Sequence, residues 1–368
     1  MKKSLLALAV LGAFAGAASA QSSVTIYGVV DLAVQKSNGG NTYSPGAYEI
    51  DKAPLTKDAW YLQQSTASRL GFRGTEDLGG GLSAQFQIEH RFTPDNGNFT
   101  GAFWAGRSYV QLTSASAGSV YLGREYAPWF WLAAKSDPFG LDGVGQFTGM
   151  LYLLSGGHTS KVDANGIATG NPASRQSNAI GYKTPNLGGL TANVAVGLGE
   201  ADTTNQPGGR DVSFNVEYAG GPIYAAVGYD KKNGSNAAND GNSLVNLAVA
   251  YDFGVVKPMF YYGRAKTGLN SDGSNKMFLI GATAPIGPGL LKAGYGQLNI
   301  DPVGATLIGG RSEVKVKKFS LGYNYNLSKR TNLYADVSTA RDDADISFVD
   351  GLTSKNTTAY AFGLRHTF

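Results

Sequence analysis

The sequence contains no cysteine and only three histidines among 368 residues, and just 16% of its residues are charged. Without cysteine the chain cannot form a disulfide framework, a thiolate zinc site or a cysteine nucleophile. The 31 Lys and Arg residues are scattered among 27 Asp and Glu, which leaves a formal net charge of +4. Because the basic residues form no blocks, the charge pattern does not indicate a nucleic-acid partner.

Long apolar runs are absent after residue 20, but one precedes it. Lys2 and Lys3 form a basic start, residues 5–18 are mainly apolar, and Ala18-Ser19-Ala20 is a small-residue cleavage box. This order predicts a signal peptide over residues 1–20 and a mature chain over 21–368. A retained membrane anchor is the alternative, but the run is short and lacks a charged stop. Without a further run of about 20 apolar residues, the mature chain can cross a membrane only as a closed barrel.

Glycine is abundant, at 51 residues, and the apolar fraction of 42% is too high for a disordered chain. Each glycine inside a helix costs about 1 kcal/mol, which disfavours a helical bundle. The side chains instead alternate with a period of two. Val24, Ile26 and Val30 share one face of the first segment, while Tyr27 and Asp31 share the other. This alternation predicts sixteen strands: 24–35, 67–77, 82–92, 107–113, 119–126, 175–184, 190–199, 210–218, 223–231, 243–253, 255–264, 276–285, 289–300, 316–326, 331–341 and 357–368.

The connections between these strands alternate in length. Seven are short and rich in Gly, Pro, Asn and Asp, as tight hairpins require. Eight are longer, at 36–59, 93–106, 127–174, 200–209, 232–242, 265–275, 301–315 and 342–356. Outer-membrane barrels have short turns on the periplasmic side and long loops outside. The predicted fold is therefore all-β, a sixteen-stranded antiparallel transmembrane β-barrel.

A soluble β-sandwich or β-solenoid also produces alternating strands, so the residues on each face decide between the models. Aromatic residues such as Phe86 and Tyr325 lie near strand ends on the apolar face, as in the interfacial girdles of membrane barrels. The opposite face carries charge, including Glu89 and Arg91 on one strand. Charge on the concave face suits a water-filled lumen, and the pattern favours the membrane barrel.

Five segments resemble the general porins of β-proteobacteria. They are Gln21–Asp31, Ser68–Leu82, Gly118–Arg124, Asn326–Thr331 and Gly363–Phe368. The resemblance implies a homotrimer in the outer membrane, passive diffusion of ions and small hydrophilic solutes, and a terminal Phe368 that the barrel-assembly machinery reads. The remaining expected partners are outer-membrane lipid and lipopolysaccharide, and no cofactor is expected.

Loop 127–174 is the third and longest connection, and a loop of this size indicates a function. In the family the third loop folds into the lumen and narrows it, and Asp137-Pro138-Phe139-Gly140 resembles the stretch at its tip. Asp137 and Asp142 are then expected to present negative charge at the narrowest point. A solvated outer loop is the alternative.

The alternation also predicts which charged side chains of the strands point into the lumen. We expect the inward-pointing ones to form a pore constriction. Its inward members are Arg69, Arg73, Glu89, Arg91, Arg107, Arg175 and Lys183. Arg69 and Arg175 resemble constriction arginines of the anion-preferring branch of the family, whereas Gly106 departs from the pattern. We predict a weak anion preference, against the alternative that the wall charges pair off and select little. Arg124 has outward parity and is read as an interface residue.

No catalytic or metal site is predicted. His90 and His366 have outward parity, His158 lies in a long loop, and no Ser-His-Asp arrangement is apparent. Trp129, Phe130 and Trp131 either stack on sugars or pack the loop against the wall. A diffusion channel is therefore the first functional hypothesis. The second is a structural or adhesive barrel with a plugged lumen.

Overall fold

The computed structural model describes residues 23–37, 59–99, 102–154, 174–199, 210–232, 242–266, 274–301, 313–342 and 356–368. The predicted signal peptide, His158 and much of the predicted long loops lie outside these residues. Within them, no helix is long and apolar enough to cross a membrane.

Seventeen strand segments form a single antiparallel sheet. The first nine are β1 (Ser23–Ser37), β2 (Ala59–Gln63), β3 (Arg69–Gly79), β4 (Leu82–Arg91), β5 (Ser108–Ser114), β6 (Gly118–Tyr126), β7 (Arg175–Lys183), β8 (Leu190–Gly197) and β9 (Asp211–Gly220). The others are β10 (Ile223–Lys232), β11 (Asn242–Tyr251), β12 (Lys257–Lys266), β13 (Asn275–Ile286), β14 (Gly289–Ile300), β15 (Val314–Asn326), β16 (Thr331–Asp342) and β17 (Asn356–Thr367). Two helices, α1 (Pro128–Ser136) and α2 (Thr148–Leu154), lie between β6 and β7.

The sheet closes on itself through β1. Its Val34 lies opposite Phe362 of β17. On its other edge, Ala33 lies opposite Gln63 of β2 and Val29 lies opposite Arg69 of β3. Because β2 and β3 pair one after the other with the same strand, the seventeen segments occupy sixteen positions around the barrel. The predicted fold class is confirmed, and closure leaves no unpaired edge facing lipid.

Side chains alternate between a buried inner face and an exposed outer face. On β11, Val245 and Val249 are exposed, whereas Asn246 and Ala248 are buried. The outer face is mainly aliphatic and aromatic, while the inner face carries most of the amides and charges. An apolar outer face and a polar inner face are typical of a barrel that stands in lipid and holds water.

The predicted strands all exist, with ends that shift by a few residues. The structure also contains two features that the sequence does not predict. The short segment β2 begins at the end of the predicted loop 36–59 and forms the upper half of one wall strand. The second feature is the pair of helices α1 and α2, which lie within the predicted loop 127–174.

Candidate lumen constriction

Helix α1 lies against the inner face of β9 to β11. The Trp129 amide donates to Ser213 Oγ at 3.3 Å, and Asn215 Nδ2 donates to the Pro128 carbonyl at 2.8 Å. Asn246 Nδ2 donates to the Trp129 carbonyl at 3.0 Å. These three polar side chains belong to the buried row of the wall. We call residues 127–154, the described part of the predicted loop 127–174, the inner loop.

The next part of the inner loop follows the wall over β13 to β15. Pro138 packs where a side chain at Gly281 would collide, because a Cβ there would lie 2.5 Å from its Cγ. Lys318 Nζ, on β15, donates to the Gln146 carbonyl at 2.5 Å and lies 5.6 Å from the centre of the Phe147 ring. Both apolar packing and a buried cation therefore hold this segment in place.

The tip of the inner loop reaches the seam where β1 meets β17. The Gly143 amide donates to the Ser65 carbonyl at 3.0 Å. Arg365 Nη1 lies 3.3 Å from Asp142 Oδ2, and Arg365 Nε lies 3.0 Å from Asp31 Oδ2. The inner loop thus contacts the wall from β9 round to β17 and β1.

Asp137 differs from its expected role. Its side chain is only 4% exposed and accepts from the Phe139 amide at 2.8 Å and the Phe147 amide at 2.9 Å. The carboxylate therefore closes the loop's own turn instead of facing a water-filled path, because three-residue Asp-Pro-Phe geometry turns it toward these amides. Burial raises the pKa of Asp137 to about 6.

Asp142 is the more accessible carboxylate of the loop, with a side chain that is 30% exposed. Burial raises its pKa, and the positive charges of Arg365 and Arg69 oppose that rise. Asp142 thus lies between the seam and the basic residues of β3.

The wall that the inner loop leaves uncovered, from β3 to β7, carries the predicted basic residues. Arg91 Nη2 lies 2.6 Å from Glu89 Oε1, and Arg69 Nε lies 3.9 Å from Glu89 Oε2. Arg73 stacks on Tyr27, with its guanidinium carbon 5.4 Å from the ring centre. We call this set the cationic wall: Arg69, Arg73, Arg91, Arg107, Arg175 and Lys183.

Glu125, which sequence reasoning missed, neutralises part of the cationic wall. Its side chain is 1% exposed and accepts from both Nε and Nη2 of Arg107, with Nε at 2.8 Å from Oε1. Lys183 Nζ lies 3.6 Å from Oε2 of the same carboxylate. The sequence does contain a signal for its position. Val120 and Leu122 face outward, and the alternation then places residue 125 on the inner face.

Strict alternation along β7 does not explain how the side chain of Arg175 joins the cationic wall. Asn178 has a φ of 52°, and the β6–β7 register shifts beside it, so the alternation from Lys183 to Arg175 is broken. Such a bulge re-aims the side chains beyond it. Arg175 Nη2 nevertheless donates to the Tyr126 hydroxyl at 2.5 Å, and Arg91 Nη2 donates to the same oxygen at 3.0 Å.

The cationic wall carries a positive excess. Its six cations face two carboxylates, Glu89 and Glu125, so this set of eight side chains carries 6 − 2 = +4. Gly106 explains the departure from the family pattern, since a Cβ there would lie 2.5 Å from Glu89 Oε1. A longer side chain at this position would displace the carboxylate that pairs with Arg91.

The model of the Gram-negative porin family matches residues 7–345 of the chain. The chain belongs to the Gram-negative porin family. This porin is 34% identical to outer membrane porin protein 32 of Delftia acidovorans and 32% identical to an outer membrane porin protein of Bordetella pertussis, with all of each chain covered. Its fold is similar to that of the anion-selective porin from Comamonas acidovorans, with a TM-score of 0.74, 30% identity and coverage of 95% of this chain and 100% of the other. The resemblance read from the sequence is confirmed, and the porin belongs in the outer membrane.

The other residues that the sequence analysis singled out are not part of the cationic wall. Phe368 exchanges two backbone hydrogen bonds of 3.1 Å with Gly28, which ties the last residue to β1. His90 stacks on Phe103 at a ring separation of 4.0 Å on the outer face, and His366 lies 2.9 Å from Thr331 Oγ1. Arg124 donates to Ser177 Oγ at 2.6 Å.

Trp129, Phe130 and Trp131, at the start of the porin's inner loop, make two kinds of contact. Trp129 is buried in the cluster between α1 and the wall, which favours the packing interpretation for that residue. Phe130 stacks on Tyr126 at 5.3 Å, and the guanidinium of Arg107 lies 5.8 Å from the centre of the Trp131 ring. The run therefore links the inner loop to the cationic wall.

Proposed function

We propose that this porin is a passive diffusion channel with a weak anion preference, whose constriction lies between the inner loop and the cationic wall. The observation that carries the proposal is the cationic wall, whose six cations exceed the two carboxylates that pair with them, Glu89 and Glu125, by four charges. The loop opposite offers little compensation, since Asp137 is buried and Asp142 is paired with Arg365.

The physical basis is electrostatic focusing. The apolar walls of a narrow, water-filled lumen concentrate field lines, so a few fixed charges decide the sign of the ion that enters. Arg73 has no carboxylate within 4.0 Å in the described residues, so its charge is available to the pathway. The similar porin from Comamonas acidovorans is anion-selective, which supports the same preference here.

Reversal potential in planar bilayers tests this proposal. Under a tenfold KCl gradient, the wild type should give a potential of the anion-selective sign. Arg69→Gln/Arg73→Gln should reduce it, whereas Lys329→Gln/Arg330→Gln, which removes two charges from an exposed short turn, should not. A clear cation preference of the wild type would contradict the proposal.

A structural or adhesive barrel with a plugged lumen remains the second candidate, because the inner loop occupies much of the inner wall. Single-channel conductance separates the two. Steps of open-porin size support the channel, and a silent, correctly folded protein supports the plugged barrel.

The finer partner assignments also belong to the proposal. We propose a homotrimer that contacts lipid and lipopolysaccharide, with Phe368 as the signal for the barrel-assembly machinery and no enzymatic activity. Native mass spectrometry of the purified protein gives the oligomeric state. For assembly, a Phe368→Ala variant should reach the outer membrane in smaller amounts than the wild type.

A further inference from the structure

The outer face of the barrel carries a band of exposed basic residues where the strands meet the long loops. Each member has the same parity as the apolar, lipid-facing residues of its strand, such as Phe260 on β12 and Phe319 on β15. We call this set the basic band: Lys231, Arg264, Lys266, Lys276, Lys317 and Arg341.

Two pairs within the basic band lie directly opposite each other across neighbouring strands. Arg264 of β12 is the register partner of Lys276 of β13. Lys317 of β15 is the register partner of Arg341 of β16. Like charges that face each other across an antiparallel ladder destabilise the sheet. Such a pair needs an anion from outside the wall to offset the repulsion.

The described residues do not supply that anion. The structure shows no carboxylate within salt-bridge distance of Lys276, Lys317 or Arg341 in the ranges that it describes. Arg264 donates to the neutral Ser274 Oγ at 3.1 Å. Among the described residues, the two pairs thus have no carboxylate to offset their positive charge.

The band lies at one end of the barrel only. At the short-turn end, the same strands present exposed apolar or aromatic residues, including Ile223 of β10, Tyr325 of β15 and Leu333 of β16. None of the outward strand residues that the structure describes at that end is Lys or Arg. The long-loop end of an outer-membrane barrel is the extracellular end, so the charge faces the outer leaflet.

We propose that the basic band binds the phosphates of a phosphorylated lipid of the outer leaflet, with each opposed pair clasping one phosphate. Register partners lie about 5 Å apart at Cα, close enough for two cationic side chains to share one phosphate. The two pairs are three strand positions apart, or about 14 Å. Two pairs that each hold one phosphate call for a lipid headgroup that carries two phosphates. The inference rests on the lipid contact proposed above and names the residues that make it.

Binding to two synthetic lipids tests the inference. The folded protein in a neutral detergent is titrated with a bis-phosphorylated disaccharide lipid and with its dephosphorylated form, and bound lipid is counted by native mass spectrometry. We expect the wild type to prefer the phosphorylated lipid. Lys317→Gln/Arg341→Gln should weaken that binding by roughly tenfold, because two charge-assisted phosphate contacts are lost. The matched control is Lys329→Gln/Arg330→Gln in the opposite turn.

Thermal unfolding gives a second readout that a general loss of stability would not mimic. Without lipid, Lys317→Gln/Arg341→Gln should melt no lower than the wild type, since the repulsion of the pair is relieved. The phosphorylated lipid should raise the melting temperature of the wild type and the control more than that of this variant.

Three results would overturn the inference. One is equal binding of the two lipids by the wild type, and another is unchanged binding by Lys317→Gln/Arg341→Gln. The third is full displacement of the lipid by equimolar inorganic phosphate, which would indicate a free-phosphate site. Conductance of the variant should stay at the wild-type value, so a failure here is distinguishable from a failure of the channel proposal.

Discussion

The guanidinium of Arg365, on the last strand, bridges Asp142 of the inner loop and Asp31 of the first strand. Its Nη1 lies 3.3 Å from Asp142 and its Nε lies 3.0 Å from Asp31. Asp31 is fully buried and also accepts from the Tyr334 hydroxyl at 2.7 Å and the Ser65 amide at 2.8 Å. One side chain thus joins the seam of the barrel to the inner loop.

Arg365→Gln should loosen the inner loop and weaken the seam together. The variant leaves a buried Asp31 carboxylate without its cation, and hydrogen bonds to charged groups contribute about 2 kcal/mol. We expect lower thermal stability and more current noise in single-channel records. Asp142→Asn is the control, because it removes only the loop contact and should raise the noise with little change in melting temperature. Wild-type noise in Arg365→Gln would show that the bridge does not restrain the loop.

Lys318→Met should release the middle of the inner loop. Lys318 is buried on β15, where it donates to the Gln146 carbonyl and lies near the Asp137 carboxylate. Losing a charge-assisted hydrogen bond in this buried position should cost about 2 kcal/mol of docking free energy. Limited proteolysis of folded protein should then cut within residues 137–147, a segment that stays resistant in the wild type.

A double-mutant cycle separates the charge effect from lost packing. Combining Lys318→Met with Asp137→Asn should cost less than the sum of the two single changes, because each removes a charge that attracts the other. Strict additivity of the two proteolysis effects would mean that Lys318 acts without Asp137, through packing and its hydrogen bond to the Gln146 carbonyl.

The strands could be predicted from the sequence because their cause is local. Lipid on one face and water on the other impose a period of two, and Val245, Asn246 and Leu247 show it without any tertiary information. The bulge at Asn178 could not be predicted, since nothing in the local sequence marks the residue that takes a φ of 52°. Arg365 was missed for a different reason, because its contact with Asp31 spans 334 positions and exists only once the barrel closes.

Glu125→Gln should strengthen the anion preference of the channel. The change removes one of the two carboxylates of the cationic wall, while the amide oxygen of Gln can still accept from Arg107. One unit charge contributes about 0.4 kcal/mol at 10 Å in water, or about a twofold change in local anion concentration. The reversal potential should therefore move further in the anion direction. Glu76→Gln, at an exposed site beside a short turn, is the matched control and should leave the potential unchanged. An unchanged potential would place Glu125 outside the field of the pathway.

Docking of the inner loop should be firmer in acid than at neutral pH. Burial raises the pKa of Asp137 to about 6 in the docked loop, against about 3.9 for an exposed aspartate. A raised pKa means that the docked state binds the proton more tightly, so this contribution is fully present below pH of about 4 and is lost as the pH rises through 6. Proteolysis within residues 137–147, with cleavage rates corrected on an unfolded peptide, should accelerate between pH 4 and pH 7. Asp137→Asn should remove most of this pH dependence, because the amide does not titrate. A loop that opens more readily at pH 4 than at pH 7 would show that the ionised carboxylate, held by the Phe139 and Phe147 amides and by Lys318, is the form that docks.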